Sequence, residues 1–250
     1  SFIRLAYADD LFGPYTLYNP GTLALDQTSF TGHIASPDVH LDAVNRRLVM
    51  VYHGLYREEG KGRQCAAVAT STDGIHFEDS GGRFEDVPSY FRGFEWQGTL
   101  YGTHFCWITR AESWLGPFKT RERPLFPGCA GGAQAGCPRH TANLVQGDRL
   151  TVLYSRYGDR PERIIKSTVH LSDDWQTWTA TGSEAVLAPV EPWEGADLDL
   201  EASEGGPARE PKHQLRDPDI YQENGRVYML YAVAGEYGIA ITELDPDLLT

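Results

Sequence analysis

Four times along its 250 residues the chain repeats one short pattern: an alternating apolar run, a tight turn on Gly or Asn, and a second run ending in Tyr. DIYQENGRVYMLY occupies 219–231, TANLVQGDRLTVLY 141–154 and RGFEWQGTLY 92–101, while DVHLDAVNRRLVMVY, at 38–52, has a longer turn. The runs are rich in Val, Ile, Leu, Thr and Tyr and short enough to be single strands, so each unit reads as a β-hairpin. No segment carries a sustained apolar stripe of helical period, and 26 Gly with 15 Pro interrupt the chain too often for long helices. The chain is all-β.

Each hairpin is followed by a third strand. Two of these end in related turns, Ser71 to Phe77 and Ser172 to Trp178, in which Ser and Asp supply the turn and the aromatic packs between sheets. They look like the Asp-box turns of sialidase-type propellers, which are structural. Repeats of three to four strands at this spacing are the signature of a β-propeller. The reading is a single propeller domain over 1–250 with five blades. Four lie at about 33–85, 86–127, 138–190 and 213–250, and residues 1–30 supply the outer strands of a fifth that is incomplete at the N-terminus. Native sequence before Ser1 is therefore expected, with sharing of strands between the termini as the alternative.

Composition removes several classes of function. With 41% apolar residues the chain is not disordered, and no run reaches the ~18 apolar residues of a membrane helix. A net charge of −13 argues against nucleic acid as a partner. Residues 191–210 hold seven acids and one base, Arg209, and read as a long acidic loop, either a solvated insertion or a flap or cation-binding loop. The four cysteines form no C-x-x-C pair; Cys129 and Cys137 flank a Gly/Ala-rich loop and are either a disulfide or two thiols. The protein is expected to be soluble, cytoplasmic or secreted after leader removal, and its oligomeric state is open.

In a propeller the first strand of each blade lines the central channel. The segments entering those strands carry His33, Ser36 and Asp38; Tyr90 and Arg92; Arg139 and His140; and Arg216, Asp217 and Asp219. A purely packed core would place small apolar residues there, so these charges predict a polar pocket. Each has a bland reading as well. Asp38 and Asp219 are also suited to capping turns, Asp217 and Arg216 to an ion pair between blades, and His33, His40 or His53 to an ordinary hydrogen-bonded histidine.

The strings Ser36-Pro37-Asp38-Val39 and Arg216-Asp217-Pro218-Asp219-Ile220, each leading into a hairpin, resemble the five-bladed β-propeller glycoside hydrolases of family 43 and its relatives in families 32, 62, 68 and 117. The resemblance implies a hydrolase acting on a furanoside or pyranoside with inversion. It makes Asp217, eight residues before Gly225, the general base, and Asp38 the aspartate that tunes the acid and orients the sugar. The family's acid is a Glu nine residues before a third blade's glycine, and Ser89 stands there instead. His140, then Glu85, then Glu95 in the neighbouring turn are the substitutes. His33, Tyr90, Arg92, Arg139, Arg216 and Asp219 are the expected sugar contacts. No cofactor is required, although relatives often carry Ca²⁺ on the axis. Two rivals stay open: a catalytically inactive carbohydrate-binding propeller, and a glycoside phosphorylase in which Arg92, Arg139 and Arg216 hold phosphate.

Overall fold

A computed structural model describes residues 1–249 and is built from seventeen strands with only short 3₁₀ turns beside them. Two compact units are distinguished: Ser1–His104 with Thr109–Thr120, and Phe105–Ile108 with what is described from Arg121 onward.

The first unit opens with a two-stranded ladder, β1 (Phe2–Tyr7) and β2 (Thr16–Ala24). A four-stranded antiparallel meander follows: β3 (Ile34–Asp42), β4 (Arg47–Glu58), β5 (Lys61–Ser71) and β6 (Glu78–Phe84). A second meander contains β7 (Arg92–Trp96), β8 (Thr99–His104), β9 (Trp107–Ala111) and β10 (Lys119–Thr120). The strand period explains how the sheets stack. On β4, Met50 and Tyr52 point into a cluster with Ile3, Leu23 and Phe30, while Val49 and Val51 point the other way, into one with Phe91, Ala111 and Phe118. On β5, Ala67 and Ala69 join the first cluster and Ala66 and Val68 the second. Both faces of this sheet are buried, which is why its strands read as continuous apolar runs.

The second unit carries β11 (Pro138–Gln146), β12 (Arg149–Arg156), β13 (Ile164–His170) and β14 (Thr181–Leu187) in one meander. A three-stranded sheet follows: β15 (Arg216–Glu223), β16 (Arg226–Val233) and β17 (Gly238–Glu243). Ala142, Leu144 and Leu153 of the first sheet pack with Met229, Tyr231 and Val233 of the second. The protein is thus all-β and propeller-like, with four blades among the described residues; β1 and β2 form only a ladder of two.

The recurring turns have the structure their residues dictate. Asp73 accepts from the backbone N–H groups of Ile75 and His76, both at 2.9 Å, while Ser71 accepts from Gly74 N–H at 2.9 Å. Hydrogen bonds from His76, in side chain and backbone, hold the Asp73 carboxyl far below its usual range. In the second turn Asp174 accepts from Gln176 N–H at 3.1 Å, and the Trp178 indole donates to Ser172 O at 2.9 Å. Between Cys129 and Cys137 a disulfide closes the Gly/Ala-rich loop, resolving the open alternative. Cys65 and Cys106 are buried thiols, pushed up to about 11 by that burial.

The 191–210 stretch contains no strand but is anchored at several points. Glu194, buried, accepts from the N–H groups of Val190 (2.8 Å) and Glu191 (3.1 Å) and from the Tyr231 hydroxyl at 3.1 Å. Gly158 N–H donates to both Ser203 O and Ser203 Oγ at 3.0 Å. Most residues of the stretch are nevertheless exposed to solvent.

Candidate functional site

One irregularity recurs where β3, β11 and β15 begin. The ladder slips between Ala35 and Asp38, between Pro138 and Thr141, and between Arg216 and Asp219. At each place two residues stand where the partner strand has one: Ser36-Pro37 against Tyr52, Arg139-His140 against Ser155 and Asp217-Pro218 against Tyr231. Ser36 and Asp217 take left-handed backbone angles, φ 52° and 51°, and Tyr90, just before β7, has φ 59°. Such angles are unfavourable for residues with a Cβ and concentrate where a side chain must be re-aimed.

In the first unit, Asp38 is the first regular residue after its bulge, opposite Val51, and is 6% exposed. Its Oδ2 accepts from His40 Nε2 and from Gly93 N–H, both at 2.7 Å. Burial works against ionisation, but His40, Arg92 and the Gly93 N–H outweigh it and hold the carboxyl below its ordinary value. His40 stacks on Trp114 with ring centroids 4.0 Å apart. Gly93 is required here, because a Cβ would come within 2.6 Å of Trp114 and 2.8 Å of His40.

A second group in this unit joins His33, His53 and Tyr90. His53 is edge-on to His33 at 5.7 Å and to Tyr90 at 5.3 Å, and the amide of Gln64 lies 3.3 Å from His33. Burial lowers the His33 pKa. Arg92 is buried, donating to Phe91 O at 2.8 Å. Glu85 is exposed in the turn after β6, where its charge acts on Tyr56, Arg63 and Cys65. Glu95 is in β7 opposite Leu100, facing solvent, rather than in the following turn.

In the second unit, His140 and Asp217 meet directly through Nδ1 and Oδ1. The Asp217 side chain keeps 28% of its surface exposed, against 8% for His140. Burial again raises the Asp217 pKa, but His140, Arg139 and Arg216 together bring it below the ordinary carboxylate value. Immediately beside this pair is a buried triad. Glu162, fully buried, holds Arg139 Nε at 3.0 Å through one oxygen and Arg216 Nε at 3.0 Å through the other. Ser155 donates to Glu162 at 2.7 Å, and Arg139 lies over the Tyr157 ring at 4.4 Å. The outer guanidinium nitrogens reach the acidic stretch: Arg139 donates to Glu204 O and, at 3.1 Å, to Gly206 O. Arg216 pairs with Glu236 at 2.8 Å and donates to Gln214. A cavity of about 680 Å³ opens beside it, walled by residues 200–202 and 204–210 with Arg160, Lys212, Gln214 and Arg216.

Asp219 is exposed, with its carboxylate accepting from Ile220 N–H at 2.9 Å. Among the expected residues, the structure therefore joins Asp38 to His40 and Gly93, His33 to Tyr90 through His53, and Arg139, His140, Arg216 and Asp217 into one network. Glu85 and Asp219 stand outside these groups. Sequence reasoning missed Glu162, Ser155, Gln214 and Glu236. The signal for Glu162 was indirect: two arginines at buried strand starts require a countercharge. Among the described residues no three His, Cys, Asp or Glu side chains converge as metal ligands.

No family model matches the chain. The uncharacterized protein R118 of Acanthamoeba polyphaga mimivirus is 34% identical over 256 residues, covering 95% of this chain and 71% of that protein. Among solved structures, the RS223 β-xylosidase superposes over 98% of this chain and 81% of its own at 13% identity, with TM-score 0.63. An exo-1,5-α-L-arabinanase from a bovine ruminal metagenomic library does so over 92% and 82% at 13% identity, TM-score 0.56. The Bombyx mori family 32 β-fructofuranosidase BmSUC1 matches 89% of this chain and 49% of its own at 13% identity, TM-score 0.58. At these identities the likeness shows the fold, which is that of the β-propeller glycoside hydrolases.

Proposed function

We propose that this chain, which belongs to the family of the mimiviral protein R118, is a glycoside hydrolase acting on furanoside or pyranoside oligosaccharides with inversion. The observation that carries this reading is the Asp217–His140 pair, made on two bulges and partly open to solvent. A carboxylate held ionised by burial-opposing charges suits a general base that activates water. In contact with it, His140 cannot also stand on the far side of the glycosidic bond, where inverting chemistry places its acid ~6.5–9.5 Å from the base. His140 therefore orients Asp217 and is not the acid. Asp38, buried and doubly hydrogen-bonded, holds Gly93 and His40 rather than touching sugar. The architecture consistent with this reading is five-bladed, with β1 and β2 as the outer half of the fifth blade.

A phosphorylase is less well supported, because Arg139 and Arg216 are engaged by Glu162, Glu236 and loop carbonyls. The inactive sugar-binding reading is favoured by one observation: Glu85, the next candidate for the acid, is exposed in the turn after β6, where its charge acts on Tyr56, Arg63 and Cys65. The deciding experiment measures sugar release from arabino-, xylo-, galacto- and uronic-acid oligosaccharides, with and without phosphate, for wild type and His140→Gln. Phosphate-independent release that falls ~10²-fold or more in the variant supports the hydrolase. The acid limb of its pH profile should also move up, since His140 no longer lowers the Asp217 pKa. Release only with phosphate, or binding without release, rejects it.

A further inference from the structure

The triad beside the pair has a geometry that packing alone does not require. Arg139-His140 and Arg216-Asp217 are two dipeptides at two bulges. In each, the arginine turns toward Glu162 and its neighbour toward the other dipeptide. Each oxygen of one carboxylate takes one guanidinium, so the two arginines are fixed relative to each other as well as to Glu162. The backbone adds a third tie: Glu162 O accepts from Leu215 N–H at 2.9 Å, one residue before Arg216. Ser155 fixes the carboxylate itself.

A buried ion triad is weak evidence for stability, since well-packed apolar residues of similar volume often serve as well. A carboxylate supplies what apolar residues do not: one fixed point of charge that holds both guanidinium groups at 3.0 Å. From these observations we infer that Glu162 is the positioning residue that holds His140 against Asp217. The charged groups facing the pair are Arg139, Arg216 and Glu162, with Glu236 behind Arg216. The functional consequence rests on His140–Asp217 being the reacting pair, whereas the contact can be read without catalysis.

The test follows the His140 imidazole by NMR titration in four full-length proteins: wild type, Asp217→Asn, Glu162→Gln and the double variant. Asp217→Asn should lower the His140 midpoint by about 1 unit in the wild-type background. In the Glu162→Gln background that difference should shrink by half or more. An equal difference in both backgrounds overturns the proposal. Should Glu162→Gln fail to fold, the same cycle is run in Arg139→Met/Glu162→Gln, which leaves Arg216 with Glu236; undiminished coupling there also overturns it. Sugar release is measured on the same samples. Lost coupling with no release from any protein upholds the positioning role and removes the hydrolase reading. Intact coupling with equal release from wild type and Glu162→Gln does the reverse.

Discussion

Each unit of this protein contains one aspartate–histidine pair, and the two are made in opposite ways. Asp38 and His40 are two residues apart on one strand, where the pleat puts both on the same face without further help. His140 and Asp217 are far apart in sequence and meet only because two ladders slip at the same point of their sheets. The local pair is closed over: Asp38 accepts a backbone N–H as well, and His40 lies flat on Trp114. The long-range pair keeps part of Asp217 open and sets it on left-handed backbone. We propose that the pair with left-handed backbone at its aspartate and part of that side chain exposed is the reacting one, and that the other is a pin within its unit.

The comparison can be broken most forcefully at Glu162. Glu162→Ala leaves two guanidinium groups buried without their shared carboxylate and should cost about 3–5 kcal/mol, seen as a lower urea midpoint. A change near zero would mean that the second unit does not depend on the triad. Next comes Asp38→Asn, which replaces a charge-assisted acceptor by a neutral amide. About 1.5–3 kcal/mol of stability should be lost, with release per folded molecule nearly unchanged.

A pH measurement sharpens the contrast further. His104 is buried, with Nε2 3.2 Å from Thr120 Oγ1, and burial lowers its pKa to about 3. The unfolded chain takes up this proton near pH ~6.5, so the stabilisation is complete above that value and is lost as pH falls from ~6.5 toward the folded pKa. Asp38 and Asp217, whose folded pKa values are depressed, lose theirs only below the ordinary carboxylate range. His104→Gln should therefore flatten thermal stability between pH 6.5 and 4.5 while leaving the loss below pH 4 in place; an unchanged slope would contradict this. The smallest effect is expected at Asp219, exposed and bonded to its own neighbour's N–H: Asp219→Ala should change stability by less than about 0.5 kcal/mol.

Much of the fold was legible because a strand's two-residue period and a glycine turn are local properties. The hairpins at 38–52, 92–101, 141–154 and 219–231 lie where the sequence puts them. Register was less legible. The family motifs set Asp38 beside Asp217, but the ladder makes Asp38 the equivalent of Asp219: each is the first paired residue after its bulge, opposite Val51 and Leu230. A bulge adds one residue ahead of the paired run, and only the partner strand shows where it falls. Glu162 was invisible for another reason. It lies in a loop with no period, and its role exists only once Arg139 and Arg216 are brought to it.

The most direct measurement sets the two pairs against each other: sugar release and thermal stability for wild type, Asp217→Asn and Asp38→Asn on the same oligosaccharide panel. The account predicts that Asp217→Asn loses release by about 10²–10⁴-fold with its melting temperature nearly kept, while Asp38→Asn keeps release per folded molecule and melts lower. Release that survives Asp217→Asn and vanishes in a folded Asp38→Asn would contradict it.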